Sequence, residues 1–338
     1  MHQLGRIQSR RGGLRARGLK IALVAVCALS AVTAVVAGGL GFLIYTRAHP
    51  ARVHPTETPD ALFTRYENAT FIAPDGVSLS GWWIVGKAAA SARERAPVVI
   101  LCHDLGESRA SFLGLATRLA DAGYAVLLFD FRGHGESGGT SSFGTLEERD
   151  ILGAIDWIAA RRAVDIGRIG ILGVGMGAHA AALAARDRVQ IRCLVLDSPY
   201  ADVGAFLNDP VPDRGFWTRL LGRATLAMYD LIYRVRSSEL SASRQIPALS
   251  DRDLLFLVAG DNDRAAGAVR AMYESVPESR KHDKNLRILG ATRATQLYGQ
   301  DRDLYDQTVI EFFRSYLPVL RAEGGRAGRA APAHSRER

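Results

Sequence analysis

The sequence predicts an α/β protein: a mostly parallel, roughly eight-stranded sheet with helices on both faces, plus one N-terminal transmembrane helix. Three observations carry this. Ile21 to Tyr45 is 25 residues without a single charge, enough to cross a hydrocarbon layer of about 30 Å at about 1.5 Å per helical residue. Downstream, short wholly apolar runs, such as Val98-Val99-Ile100-Leu101-Cys102 and Ile169 to Leu172, alternate with stretches of helical spacing. Such runs are strands buried on both faces, and alternation with helices makes the sheet parallel. Third, one apolar run meets a glycine cluster, Gly173, Gly175 and Gly177, and then an alanine-rich helical pattern, a strand, tight turn and helix.

In chain order, residues 1–20 hold six basic residues and no acid, and read as a basic cytoplasmic N-terminus. Residues 21–45 are the transmembrane segment. No small-residue cleavage site follows Tyr45, so an uncleaved signal-anchor is expected rather than a secretory signal. The charge asymmetry puts the N-terminus inside the cytoplasmic membrane and the main domain outside, as a single-pass protein. Residues 46–64, with Pro50, Pro55 and Pro59, read as a linker. Pro74-Asp75-Gly76 turns one strand into the next, through Trp82 and Trp83. Strands follow at 98–102, 124–129, 169–172, 192–196, 253–258 and 286–289. Helices are expected at 110–122, 146–160, 217–235 and 304–317, with further ones after Gly177 and up to Met272. Residues 65–317 form the folded domain, and 318–338, rich in Arg, Ala and Gly, a disordered tail.

The net charge is +8, but 321–338 adds five Arg and two Glu to the basic N-terminus, so residues 21–320 carry 32 basic and 33 acidic side chains. That near-neutral body argues against a nucleic-acid surface. Cys27, Cys102 and Cys193 have neither disulfide nor metal spacing and read as small core residues.

The glycine turn admits two readings. In a G-x-S-x-G elbow the central residue is a nucleophilic serine; here it is Gly175, which cannot attack. In a G-x-G-x-x-A fingerprint the turn cradles a dinucleotide, with Asp197 at the end of the next strand in the ribose-binding place. The motifs around the turn favour the first. Cys102-His103-Asp104-Leu105-Gly106, Asp130-Phe131-Arg132-Gly133-His134-Gly135-Glu136-Ser137-Gly138, Gly173-Val174-Gly175-Met176-Gly177 and Asp197-Ser198-Pro199-Tyr200 each end a buried strand. In that order they resemble the α/β-hydrolase superfamily, in its esterase, lysophospholipase and serine-aminopeptidase-like branch, over about residues 65–317.

The resemblance implies ester, thioester or amide hydrolysis, and it implies roles. Gly175 stands at the nucleophile position. The backbone N–H groups of Leu105 and Met176 stand at the oxyanion hole. Asp263, in Gly260-Asp261-Asn262-Asp263, stands at the acid position, and Arg293, in Gly290-Ala291-Thr292-Arg293, at that of the histidine. Asp104 replaces the usual glycine, and a carboxylate there opposes an oxyanion if it points inward. His103, Asp104, His179 and Ser198 are expected around the pocket, with open space above Gly175. Glycine forms no acyl-enzyme and a guanidinium takes no proton. The expectation is therefore a catalytically silent, membrane-anchored module that binds a small molecule or a protein through that space. Arg293 would form an ion pair with Asp263. The alternatives are a hydrolase with a nonstandard arrangement and, more remotely, a dinucleotide-binding protein. No cofactor or metal is expected, and the ligand and the oligomeric state are left open.

Overall fold

The structure is a computed structural model. It describes residues 2–62, 64–86, 95–161, 164–208, 215–249, 251–259, 263–278, 285–289 and 297–319, and of residues 2–18, 263, 264 and 289 the backbone alone. The chain divides into two compact units, Met1–Arg47 with Leu207–Arg236, and Ala48–Phe206 with Ser237–Arg338.

The first unit is helical. Helix α1 runs unbroken over His2–Ala48. Its stretch Leu19–Ala48 has a mean hydropathy of 2.5 and is long and apolar enough to cross a membrane. Leu19, Leu23, Val26, Leu29, Val32 and Val35 are exposed, whereas Leu40 and Ile44, near its C-terminal end, are buried.

The second unit holds the sheet. Its strands are β1 (Tyr66–Ile72), β2 (Ser78–Val85), β3 (Ala96–Cys102), β4 (Ala125–Phe129), β5 (Val164–Val174), β6 (Ile191–Asp197), β7 (Asp253–Ala259) and β8 (Leu286–Leu289). They form one eight-stranded sheet in the order β1-β2-β4-β3-β5-β6-β7-β8. β1 and β2 form the expected hairpin, closed by Gly76 N–H donating to the Ala73 carbonyl at 2.8 Å. β2 runs antiparallel to β4, and every pairing from β4 to β8 is parallel.

Side chains alternate across the sheet, as a strand period of two requires. Val98, Ile100 and Cys102 of β3 join the core on one face with Ile151, Ile155 and Ala181. Val99 and Leu101 join the core on the other with Leu115, Leu119, Val309 and Phe313. The helices of this unit are α2 (Leu113–Asp121), α3 (Glu147–Ala159), α4 (Met176–Asp187), the short α5 (Val203–Leu207, whose last residue belongs to the first unit) and α7 (Ala242–Gln245), α8 (Asp263–Glu274) and α9 (Gly299–Tyr316); α6 (Phe216–Tyr233) belongs to the first unit. In α4 every residue from Met176 to Ala185 is buried. A helix apolar all round is one covered all round, and its alanines let it lie close to the sheet.

Among the boundaries that differ from expectation, β5 runs over Val164–Val174 rather than 169–172. Residues 109–112 form a 3-10 turn before α2, and α9 starts at Gly299 rather than Leu304, because its first turn is polar and carries no apolar periodicity.

Candidate functional site

β3 has β4 on one side and β5 on the other. The strand order reverses there, so the loops leaving the carboxyl ends of β3 and β5 diverge and open a crevice, the usual ligand position in an open α/β sheet. His103, Asp104 and Leu105 leave β3, and Gly175 and Met176 leave β5, at that place.

The β5–α4 turn has the elbow form. Gly175 sits at φ +51, ψ −110, a conformation that L side chains rarely adopt. Its N–H donates to the Asp197 carbonyl at 2.9 Å, locking the turn to the end of β6. Gly173 and Gly177 are needed for close approach: a Cβ at 177 would lie 2.5 Å from the Cys102 carbonyl oxygen, and one at 173 would lie 2.6 Å from the Ala178 Cα.

Asp104 decides the character of the site. Its carboxylate points inward. Oδ1 accepts the Leu105 N–H at 2.7 Å and the Met176 N–H at 2.9 Å. These are the two donors expected to face an oxyanion, and both turn to one side chain. A Cβ at position 175 would collide with this carboxylate, with Oδ2 at 2.6 Å. The open space expected above Gly175 is therefore filled by Asp104. A carboxylate belongs there physically, since two converging N–H groups, that of Met176 at the N-terminus of α4, attract an anion.

The neighbouring histidines are held as neutral struts. His103 is buried; its Nδ1 donates to the Asp104 carbonyl at 2.7 Å and its Nε2 accepts the Phe131 N–H at 3.0 Å. His134 pairs its Nδ1 with the Arg132 carbonyl at 3.0 Å, and its Nε2 accepts the Gly106 N–H at 3.0 Å. Together they staple the loop after β3 to the loop after β4. Burial, with His134 beside it, lowers His103 to about 3. His179, buried on α4, is lowered to about 4 by its burial, pairs its Nδ1 with the Tyr200 carbonyl and stacks on the Tyr200 ring at 4.5 Å. Phe206 lies 5.3 Å from that ring and 5.2 Å from Phe143, completing an aromatic wall.

Ser198 has φ +50, unusual for a residue with a side chain, and its Oγ donates to Asp197 Oδ1 at 2.9 Å. The Tyr305 hydroxyl donates to Asp197 Oδ2 at 3.1 Å. Burial raises Asp197 to about 6 against those two bonds, and the charges of Asp104 and Glu107 push it the same way. Asp263 is the first residue of α8, described by its backbone alone. Gly260 to Asn262 and Gly290 to Arg293 lie outside the described residues, and with them the proposed Asp263–Arg293 ion pair.

Sequence reasoning missed two features. Glu147 accepts Ser141 Oγ at 2.8 Å, Ser142 Oγ at 2.6 Å, and the N–H groups of Ser142 and Gly144, both at 2.8 Å. The signal for it, two serines and a glycine just before the first turn of a helix, was available. Tyr305 comes from α9, more than a hundred residues after Asp197, and no local pattern marks it. The Asp130–Gly138 segment is held by ion pairs. Arg109 donates to Asp130 Oδ2 at 2.7 Å and to Glu136 at 2.5 Å. Arg132 joins Asp150 at 2.6 Å and Asp75 at 2.8 Å.

An eight-stranded, mostly parallel sheet with a positive-φ elbow at its switch point defines an α/β-hydrolase architecture. The chain has the α/β-hydrolase fold: residues 97–230 match the family model of the alpha/beta hydrolase fold, and solved structures agree. An esterase of Pyrococcus furiosus superposes with a TM-score of 0.58 at 25% identity, covering 79% of this chain and 99% of that one. A dienelactone hydrolase of Anabaena variabilis, at 18% identity and a TM-score of 0.52 over 75% of this chain and 99% of its own, shares the fold. Among curated proteins, an uncharacterized protein of Mycobacterium tuberculosis is 28% identical over 76% of this chain and 88% of its own length. The uncharacterized protein YfhR of Escherichia coli is 30% identical over 44% of this chain and 53% of its own length.

Proposed function

We propose that this is a membrane-anchored α/β-hydrolase-fold protein whose elbow no longer catalyses hydrolysis and which works by binding a ligand or a protein partner. The observation that supports this best is the Asp104 carboxylate, bound by both Leu105 and Met176 N–H groups. In a working elbow those donors bind charge that develops in the transition state, each worth a few kcal/mol. Here they hold a tethered charge, and any substrate oxygen has to displace it. Gly175 supplies no nucleophile. His103 and His134, with both ring nitrogens engaged, supply no base. Arg293 stands where the histidine is expected.

The same carboxylate weighs against a dinucleotide. A pyrophosphate would sit at the N-terminus of α4, against Asp104 and near Asp197. A working hydrolase would have to draw on Asp104 itself, and no histidine in the described crevice is positioned to assist it. The helix α1, long and apolar enough to span a bilayer, supports the anchor, with residues 1–20 on the cytoplasmic side and the sheet outside.

The test is turnover of short p-nitrophenyl esters by the full chain in detergent, with fluorophosphonate labelling alongside. The expected result is no turnover above the protein-free blank and no label. Turnover that disappears in Asp104→Asn or Asp263→Asn would establish a working hydrolase instead.

A further inference from the structure

Helix α6 buries Thr225 and Tyr229, about one helical turn apart, and so has one inward side. On the opposite side it exposes large apolar residues: Phe216 at 70%, Trp217 at 76%, Leu220 at 47%, Leu221 at 48% and Leu231 at 71%. At about 100° per residue these fill one continuous sector. Arg219 and Arg223 lie along its polar border with Asp230, and Arg234 and Arg236 follow its C-terminal end. A face of this size facing water on a helix in a chain of this length marks an interaction surface.

Two observations say what covers it. Residues 207–236 form one compact unit with residues 1–47, which contain the apolar span, and not with the sheet. Within that unit the Arg47 guanidinium, two residues beyond the charge-free run, donates to the Leu207 carbonyl at 2.8 Å. An arginine just past an apolar span lies among lipid headgroups, so this bond holds the start of the 207–236 segment at headgroup depth. Phe, Trp and Leu on one face with Arg at the border is the composition of a helix lying in the membrane interface. Its net positive charge complements anionic headgroups.

We propose that α6 is a second membrane contact, its Phe216–Trp217–Leu220–Leu221–Leu231 face inserted into the headgroup–acyl boundary of an anionic phospholipid bilayer beside the exit of α1. This rests on the reading of α1 as a membrane anchor. The full chain is reconstituted in nanodiscs of phosphatidylethanolamine and phosphatidylglycerol, with and without acyl chains brominated near the headgroup. The bromines quench a tryptophan component that is missing in Trp217→Phe, while Trp82 and Trp83, buried in the core, are unaffected. Alkaline carbonate extraction of membranes is run in parallel. Chain released by carbonate overturns the anchor and the α6 contact with it. Chain retained, but quenched equally in wild type and Trp217→Phe, overturns the α6 contact alone. Retained chain in which Trp217 is shielded from bromine and cross-links to a second copy assigns the face to self-association instead.

Discussion

Gly175→Ser returns a hydroxyl to the elbow, and the structure predicts that it fails by itself. Position 175 is held at φ +51, where a side chain costs about 1–3 kcal/mol. The new Cβ collides with the Asp104 carboxylate, which must leave and give up the Leu105 and Met176 N–H bonds at 2.7 and 2.9 Å. Hydrogen bonds to a charged group contribute about 1.5–3 kcal/mol each. The single variant should therefore lose at least about 4 kcal/mol, summing a low backbone cost and two weak charged bonds. With Asp104→Gly already in place, only the backbone cost remains. Denaturant titration of the full chain in detergent, for wild type, both single variants and the double, measures the coupling. The double variant should be at least about 2 kcal/mol more stable than the summed single effects imply. Strict additivity refutes the collision and with it the placement of Asp104. Fluorophosphonate labelling gives the chemical counterpart: Gly175→Ser with Asp104→Gly and Arg293→His should label, and the same variant retaining Asp104 should not. Equal labelling of the two would show that Asp104 does not block the donors.

Two more outcomes follow from the buried charges. Asp197 titrates near 6 in the folded chain against about 3.9 unfolded, so the native state holds the extra proton between those values. Its contribution is fully present below about pH 4, is lost as pH rises through 6, and amounts to about 3 kcal/mol for two units. Asp197→Asn should remove that fall between pH 4 and pH 8, and stability profiles that stay parallel to wild type would contradict it. Arg132→Met strands the buried Asp150 beside a half-buried Asp75. It should lower stability by about 3–5 kcal/mol, read as a midpoint drop on the order of 10 °C in a thermal scan, whereas a drop within error would mean the pair is replaceable.

Most of the architecture was legible because it is local. An apolar run such as 98–102 is a strand buried on both faces whatever surrounds it, and Pro74-Asp75-Gly76 is a hairpin turn from its own backbone preferences. The apolar span of α1 is a matter of length and composition. The elbow, too, was legible: Gly173, Gly175 and Gly177 mark a strand-to-helix turn before any contact is known. Less legible were elements whose first turn is polar, as in α9, and the allegiance of residues 207–236, which share a compact unit with a helix some 160 residues earlier.

By itself, the sequence determined the fold, the span, and the lack of both a nucleophile at position 175 and a histidine at 293, since each of these depends on residue type and near neighbours. Only the tertiary structure decided where Asp104 points. Its carboxylate meets the Met176 N–H across 72 residues of chain, through the parallel pairing of β3 with β5. No local preference of an aspartate after a strand specifies that partner. The convergence of two N–H groups does, and it exists only once the two strand ends lie side by side.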